Sequence, residues 1–149
     1  MMEHDLEKMQ RIQLLMMSVR RKQRPIFHKA IQPFNVTPQQ YYVLKTLYND
    51  GSARVNQLAE KMQVKPSAIT IIVNKLVEQE LVIREYDEED RRAVNVYLTT
   101  SGEELVKKAR RLHGELMRRY FARFSEEELE TFITLYDKLD MMMQQESMD

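Results

Sequence analysis

Cysteine and tryptophan are absent from this sequence, and glycine is scarce. The 149-residue chain contains no cysteine, no tryptophan and three glycines. The absence of cysteine excludes disulfides, thiolate metal sites and thiol-based redox sensing. The shortage of glycine argues against an all-β or loop-rich fold, because tight turns consume glycine. We therefore expect a mostly helical chain that forms one compact domain, or a small domain with an oligomerising extension.

Long apolar runs and an excess of charge are missing as well. No apolar run approaches the ~20 residues of a membrane span, and the opening "MMEHDLEKMQR" is too polar for a signal peptide. These features predict a cytoplasmic protein without membrane association. The 23 basic residues are balanced by 23 acidic ones. Any binding to nucleic acid would therefore need a local basic patch.

Signatures of catalysis are also absent. The chain has no glycine-rich phosphate loop, no nucleophile motif around a serine, and no carboxylate pair in a recognisable cleft context. His4, His28 and His113 stand on separate segments without a partner at i+4. We predict neither enzymatic activity nor a cofactor. A metal-responsive variant that uses His28, His113 and nearby acids stays open as an alternative.

Hydrophobic periodicity predicts the element order helix, helix, helix, helix, hairpin, helix, helix. Apolar residues recur every three to four positions from Leu6 towards Ile31, which indicates an amphipathic helix that Pro25 should bend or interrupt. Two capping boxes mark later helix starts, "TPQQ" beginning at Thr37 and "SEEE" beginning at Ser125. After the helix that begins at Thr37 we expect two short helices, the hairpin and a further helix that starts near Thr99 to Ser101, before the helix that begins at Ser125.

The hairpin is predicted where the apolar period changes from helical to two. Leu81 and Ile83 alternate with Val82 and Arg84, and "VNVYL" places alternate apolar residues on one face of a second strand. The connecting "YDEEDRRA" contains no glycine, so it should form a protruding loop and not a two-residue turn.

Two short helices followed by a hairpin form the order of a winged helix-turn-helix. The first helix, within "NQLAEKM", supplies the small Ala59 where the second helix should cross it. The second helix should run from Pro66 to about Glu80. Gln63 stands in the turn where glycine is usual, which is a departure that a longer turn tolerates.

The second of these helices carries a polar and basic surface. From position 52 to 76 the chain has four basic residues and one acid, Glu60, although its total charge is zero. Polar side chains and a helix N-terminus suit phosphates and base edges. The same pattern also fits a solvated amphipathic helix, and charge alone does not separate the two interpretations.

The stretch from about Val36 to Leu105 resembles the multiple antibiotic resistance regulator (MarR) family. The resemblance depends on four short motifs in order, any one of which would be weak alone. They are S-x-x-T (Ser67, Thr70), L-V-x-R (Leu81 to Arg84), D-R-R (Asp90 to Arg92) and L-T-x-x-G (Leu98 to Gly102).

The resemblance implies a mostly helical (α+β) winged helix-turn-helix protein whose flanking helices form an intertwined homodimer. The recognition helix would enter the major groove of a pseudo-palindromic operator. The wing would place Arg92 in the minor groove, and Asp90 would orient the arginine side chains. A small, often aromatic or phenolic, ligand would bind between the dimer helices and the DNA-binding lobe, near Phe34 and Tyr41.

The ends of the chain support a dimer independently of the resemblance. Residues 1–31 and 103–143 carry apolar stripes longer than a winged-helix core could cover, and such stripes need a partner. We therefore predict an N-terminal dimerisation helix (1–35), a DNA-binding domain (36–100) and C-terminal dimerisation helices (101–149). The alternative is that these helices pack only on each other within one monomer.

The sequence thus predicts a dimeric, sequence-specific transcription regulator, a repressor that a small ligand releases from double-stranded DNA. Two alternatives remain, a winged-helix protein-interaction module that does not bind DNA and a metal-responsive repressor. The predicted DNA-binding residues are Arg54, Lys65, Pro66, Ser67, Thr70, Asn74, Lys75, Asp90, Arg91 and Arg92.

Overall fold

The computed structural model describes residues 3–90 and 92–146. They form two compact units, one ending at His113 and the other beginning at Gly114. The helices are α1 (Glu3–Ile31), α2 (Pro38–Asp50), α3 (Val55–Met62), α4 (Pro66–Glu78), α5 (Thr100–Phe121) and α6 (Glu126–Glu146). The strands are β1 (Ser52–Arg54), β2 (Val82–Tyr86) and β3 (Val94–Leu98). The predicted winged-helix order is confirmed, with β1 as an addition.

Helix α1 continues through Pro25 to Ile31, so the predicted interruption does not occur. Proline removes the hydrogen bond to the carbonyl four residues earlier, which belongs to Arg21. Arg21 and Pro25 are both exposed, so solvent can hydrogen-bond that carbonyl. A short 3₁₀ turn (Gln32–Phe34) then ends at Asn35, whose φ of 54° is left-handed.

Both predicted capping boxes are present. The Thr37 amide donates to Gln40 Oε1 at 3.0 Å, and the Gln40 amide donates to Thr37 Oγ1 at 3.1 Å. At α6 the Ser125 amide donates to Glu128 Oε2 at 2.8 Å, and the Glu128 amide donates to Ser125 Oγ at 3.1 Å. Each cap pairs two amides that the helix itself leaves without acceptors.

The core of the first unit lies where α2, α3, α4, β3 and α5 meet. Ala59 is buried, as expected for the small residue where α3 packs against α4. The turn between them is closed by Gln63 in the left-handed conformation at φ 55°, the geometry that glycine usually supplies. The largest fully buried side chains of this core are Val43, Leu44, Leu47, Leu58, Ile69, Val73, Leu76, Val82, Val96 and Val106.

The sheet has three antiparallel strands in the order β1-β3-β2. Strand β1 escaped prediction because three residues cannot display an apolar period. In β2, Val82 is buried and Ile83 is exposed. The strand begins at Val82, which pairs with Leu98, and Arg84 pairs with Val96. Alternate residues share a face, so Arg84 extends from the same face of the sheet as buried Val82.

The start of α5 is bonded to the turn between α4 and β2. Thr99 Oγ1 donates to the Glu80 carbonyl at 2.7 Å and accepts the Gly102 amide at 3.0 Å. The Thr99 amide donates to the Leu81 carbonyl at 3.1 Å. A Cβ placed on Gly102 would lie 2.2 Å from the Leu81 carbonyl oxygen. Glycine at position 102 is therefore required by the close approach of two backbones.

The second unit has aromatic side chains in series. Phe124 lies 6.4 Å from Phe132 between ring centroids, and Phe132 stacks on Tyr136 at 4.8 Å. Phe132, Ile133, Tyr136 and Leu139 of α6 are exposed in the single chain. Among the described residues, no helix is long and apolar enough to cross a membrane.

The N-terminal part of α1 in the first unit also exposes a row of apolar side chains. Its members are Leu6, Met9, Ile12, Leu14, Leu15, Met16, Met17 and Val19. Together with the exposed apolar residues of α6, they form surfaces that a single chain leaves in contact with water.

Candidate DNA-binding site

Helix α4 presents one exposed polar face. Its buried residues Ile69, Val73 and Leu76 recur at spacings of four and three and anchor the helix in the core. The opposite side carries Ser67, Thr70 and Asn74 at spacings of three and four, so these side chains lie above one another. The predicted residues on and before this helix are all exposed, namely Lys65, Pro66, Ser67, Thr70, Asn74 and Lys75.

The N-terminus of α4 is favourable for an anion. Lys65 is the N-cap residue and offers no side-chain cap to the first turn. Pro66 has no N–H, and the Ala68 amide donates to the Lys65 carbonyl at 3.0 Å, so the Ser67 amide is the donor of this turn that can face an anion. The helix dipole adds positive potential beside the lysine ammonium group. Thr70 Oγ1 donates to the Pro66 carbonyl at 3.0 Å, which leaves the lone pairs of this hydroxyl directed outward as acceptors.

Two exposed residues near this face were not among the predicted site residues. Ile71 is 62% exposed and shares the face of Ser67 and Asn74. Arg84, on β2, donates a hydrogen bond from its guanidinium to Asn74 Oδ1. Helical period could have found Ile71, because it stands four residues after Ser67 and three before Asn74. The Arg84 contact joins two elements whose packing the sequence does not specify.

The wing loop between β2 and β3 is shaped by hydrogen bonds to its acids. The Asp87 amide donates to the Ala93 carbonyl at 3.0 Å, and the Glu89 amide donates to Asp87 Oδ1 at 3.0 Å. The Arg92 backbone amide donates to Asp90 Oδ1 at 3.1 Å. The Asp90 carboxylate thus acts on the backbone, and it supports the turn on which exposed Arg92 lies. Its predicted action on the arginine side chains stays a prediction, and Arg91 lies outside the described residues.

Arg54, also predicted to bind DNA, forms an ion pair with the wing. Its guanidinium lies 2.9 Å from Asp87 Oδ2, which links the residue before α3 to the wing loop. The backbone amide of Glu89, and after it the Arg54 guanidinium, lower the pKa of Asp87. Asp87 is therefore distinct from the other loop acids, because it connects the wing to the helix-turn-helix.

We expect Asp87→Asn to destabilise the fold at neutral pH, whereas Glu88→Gln, which removes the same charge from the next residue, has a smaller effect. The lowered pKa means that the Asp87 carboxylate stabilises the fold above its usual pKa of about 3.9. That stabilisation is lost as the pH falls through the lowered folded-state pKa. Urea unfolding of wild type and both variants between pH 7 and pH 2 measures this. Identical pH profiles for the two variants would contradict the special role of Asp87.

The predicted ligand-binding residues lie in or against the core of the first unit. Phe34 is half-buried in the 3₁₀ turn. Tyr41 is buried in α2, its ring packs edge-on against Phe27 at 5.4 Å, and burial raises its pKa. The ring of His113 also contacts Phe27, at 6.1 Å, and burial followed by nearby Lys45 lowers its pKa. Their role in ligand binding stays a prediction.

The histidines do not assemble a metal site in the part of the chain that is described. His28 lies 6.2 Å from the Phe27 ring between centroids. Within residues 3–90 and 92–146, no group of three or more histidine, aspartate or glutamate side chains could hold a metal ion.

The sequence of this chain is similar to that of known transcription regulators. The model of the MarR family matches residues 36–94. The HTH-type transcriptional repressor MdtR of Bacillus subtilis is 33% identical over 118 residues, which cover 79% of this chain and 76% of that protein.

Two solved structures are similar over most of the chain. A MepR-like protein complexed with pseudoligands is 37% identical, with a TM-score of 0.58 and coverage of 95% of this chain and 97% of that one. A mutant of Escherichia coli MarR complexed with operator DNA has a TM-score of 0.68 at 22% identity, covering 89% of this chain and 95% of that one. At that identity the likeness establishes a shared fold.

Proposed function

The chain belongs to the MarR family of transcription regulators, and from this premise we propose that it is a homodimeric repressor that binds a pseudo-palindromic DNA operator and is released by a small ligand. The observation that carries the proposal is the exposed face of α4, with an uncapped N-terminus beside Lys65 and the wing following in the chain. We place its action in the cytoplasm, on double-stranded DNA.

The chemistry of α4 suits the major groove. That groove is wide enough for an α-helix, and hydroxyl and amide side chains hydrogen-bond the base edges there. Ser67, Thr70 and Asn74 would supply these contacts, while exposed Ile71 suits the methyl group of thymine. Lys65 and the Ser67 amide would hold a phosphate, and Lys75 would contact the DNA from further along the helix.

The wing suits the minor groove. Arg92 is exposed at the tip of a loop that is held by Asp87 and Asp90. An arginine in the minor groove responds to groove width and A·T content more than to unique base patterns. In a two-fold dimer this arrangement calls for half-sites separated by roughly 34–36 Å, one helical turn of DNA.

The exposed apolar rows of α1 and α6 support the dimer, since they would otherwise remain in water. We expect Ile12→Asp to convert the dimer to monomer, because a carboxylate would be buried without a partner in an apolar interface. Ile83→Asp is the matched control, since Ile83 has a similar exposure (46% against 54%) but lies on the wing. Sedimentation equilibrium of both variants measures the effect; a dimeric Ile12→Asp protein would argue against an interface at α1.

The release mechanism follows from population shift. A ligand that binds one dimer geometry better than another shifts the protein towards that geometry, and DNA is released if the spacing of the two recognition helices no longer matches the operator. MdtR is a repressor, and the MepR-like relative was solved with pseudoligands. These relatives support a ligand-controlled repressor here, with Phe34 and Tyr41 as the residues nearest the aromatic ligand.

Selection of bound sequences from a random duplex pool tests the proposal directly. A regulator of this kind enriches a pseudo-palindrome, and a gel shift at fixed salt then shows weaker binding when the correct phenolic ligand is added. A pool that stays random would favour a winged-helix protein-interaction module. A ligand that binds without changing operator affinity would exclude the release mechanism.

A further inference from the structure

One side-chain contact joins the recognition helix to the wing. The Arg84 guanidinium of β2 donates to Asn74 Oδ1 on α4. Arg84 pairs with buried Val96, so its side chain leaves the sheet on the face that packs towards α4. The register of the hairpin therefore delivers this arginine to the exposed face that Asn74 shares with Ser67 and Thr70.

The chemistry of arginine determines which end of the Asn74 amide it meets. A guanidinium carries only donors, and it stays protonated in proteins. Its partner in the amide must therefore be the oxygen, which leaves the amide nitrogen with its two N–H groups directed away from Arg84. Without such a partner, the two orientations of an exposed asparagine amide have similar energies. Its oxygen and nitrogen are similar in size, and water can hydrogen-bond to either one.

The free end of the amide decides which base it fits. Adenine presents an acceptor, N7, beside a donor, the 6-amino group, so an asparagine reads adenine by using its oxygen and its nitrogen together. Guanine presents two acceptors, N7 and O6, at the same edge. With Oδ1 turned towards Arg84, the outward end of the Asn74 amide is its NH₂ group. That end matches the two acceptors of guanine, and it places no acceptor opposite the amino group of adenine.

We infer that Arg84 is a positioning residue that holds the Asn74 amide with its N–H groups outward, so that Asn74 selects guanine over adenine in the operator. The inference rests on the proposed function, and it assigns to Arg84 a role in specificity that is separate from any attraction to phosphate.

The experiment compares wild type with Asn74→Ala, Arg84→Met, Arg84→Lys and the double variant that combines Asn74→Ala with Arg84→Met. Selection from a random duplex pool with wild type and Asn74→Ala identifies the contacted position as the one whose preference disappears in the alanine variant. Operators with guanine or adenine at that position are then titrated with every variant at fixed salt. Thermal unfolding confirms that each exposed-residue variant is folded.

We expect wild type to prefer guanine on the order of tenfold, the usual size for one good side-chain contact to a base. Arg84→Met frees the amide oxygen, so the preference moves towards adenine. Arg84→Lys, whose ammonium group is also only a donor, keeps the guanine preference. In the Asn74→Ala background, Arg84→Met leaves the base preference unchanged.

Three results would overturn the inference while leaving the proposed function intact. Wild type could select adenine at the position that Asn74→Ala identifies. Arg84→Met could weaken binding equally for both operators and lower the salt slope, which marks a phosphate contact only. Arg84→Lys and Arg84→Met could change the preference equally. If wild type enriches no sequence at all, the proposed function fails with it.

Discussion

Arg92→Ala is expected to weaken operator binding at least about tenfold, the scale of one lost arginine contact to DNA. The loss should exceed this value in a dimer, because both wings change at once. Arg92 is exposed, and the described bond between the Asp90 carboxylate and residue 92 uses the backbone amide, so alanine leaves the turn intact. The main consequence should therefore fall on binding and not on stability.

Gel shifts at several salt concentrations measure this effect. The slope of log affinity against log salt should become shallower in Arg92→Ala, and the loss should be greatest on operators with A·T-rich flanks. Arg123→Ala removes the same side chain from an exposed position outside the predicted DNA-binding domain, and it should leave both quantities near wild type. Equal losses of operator affinity in Arg92→Ala and Arg123→Ala would show that Arg92 contributes only its positive charge and makes no specific contact with DNA.

Gly102→Ala is expected to destabilise the fold by about 1–3 kcal/mol, the usual range for overpacking a tight site. A Cβ at this position would lie 2.2 Å from the backbone oxygen of Leu81 and 3.1 Å from Leu98 Cδ2. Backbone cannot rotate away as a flexible side chain would, so the start of α5 must move and strain the bonds of Thr99.

Gly114→Ala supplies a control within the same helix. An added Cβ at Gly114 meets nothing within 4 Å, and alanine in a helix interior is favoured over glycine by roughly 0.5–1 kcal/mol. The two alanine variants should therefore shift the unfolding midpoint in urea in opposite directions. A neutral or stabilising Gly102→Ala would show that α5 can move away from Leu81 at little cost in free energy of unfolding.

The features that the sequence predicted correctly depend on residues close together in the chain. The capping boxes at Thr37 and Ser125 involve partners three residues away, and their hydrogen bonds form as expected. The burial of Ala59 follows from the need for a small residue where α3 packs against α4, and the exposure of Ser67, Thr70 and Asn74 follows from helical period. Local chemistry therefore located the candidate recognition surface.

The features that escaped prediction depend on pairings between distant segments. Strand β1 is identified only by its pairing with β3. The ion pair of Arg54 with Asp87 crosses 33 positions of sequence. The sequence did not assign a buried face to β2, because Val82 and Ile83 are neighbouring β-branched residues; the structure buries Val82. Arg84 was read as part of a motif, and its bond to Asn74 appears only once the hairpin packs against α4.

The ion pair between Arg54 and Asp87 has a consequence for the ions that accompany DNA binding. A cation that neutralises a phosphate normally displaces one condensed counterion from the DNA. Arg54 is already matched by a carboxylate in the free protein. If it turns to a phosphate, Asp87 is left to attract a cation from solution. Uptake at Asp87 then offsets release from the DNA, so this contact would add to operator affinity with little effect on its salt dependence.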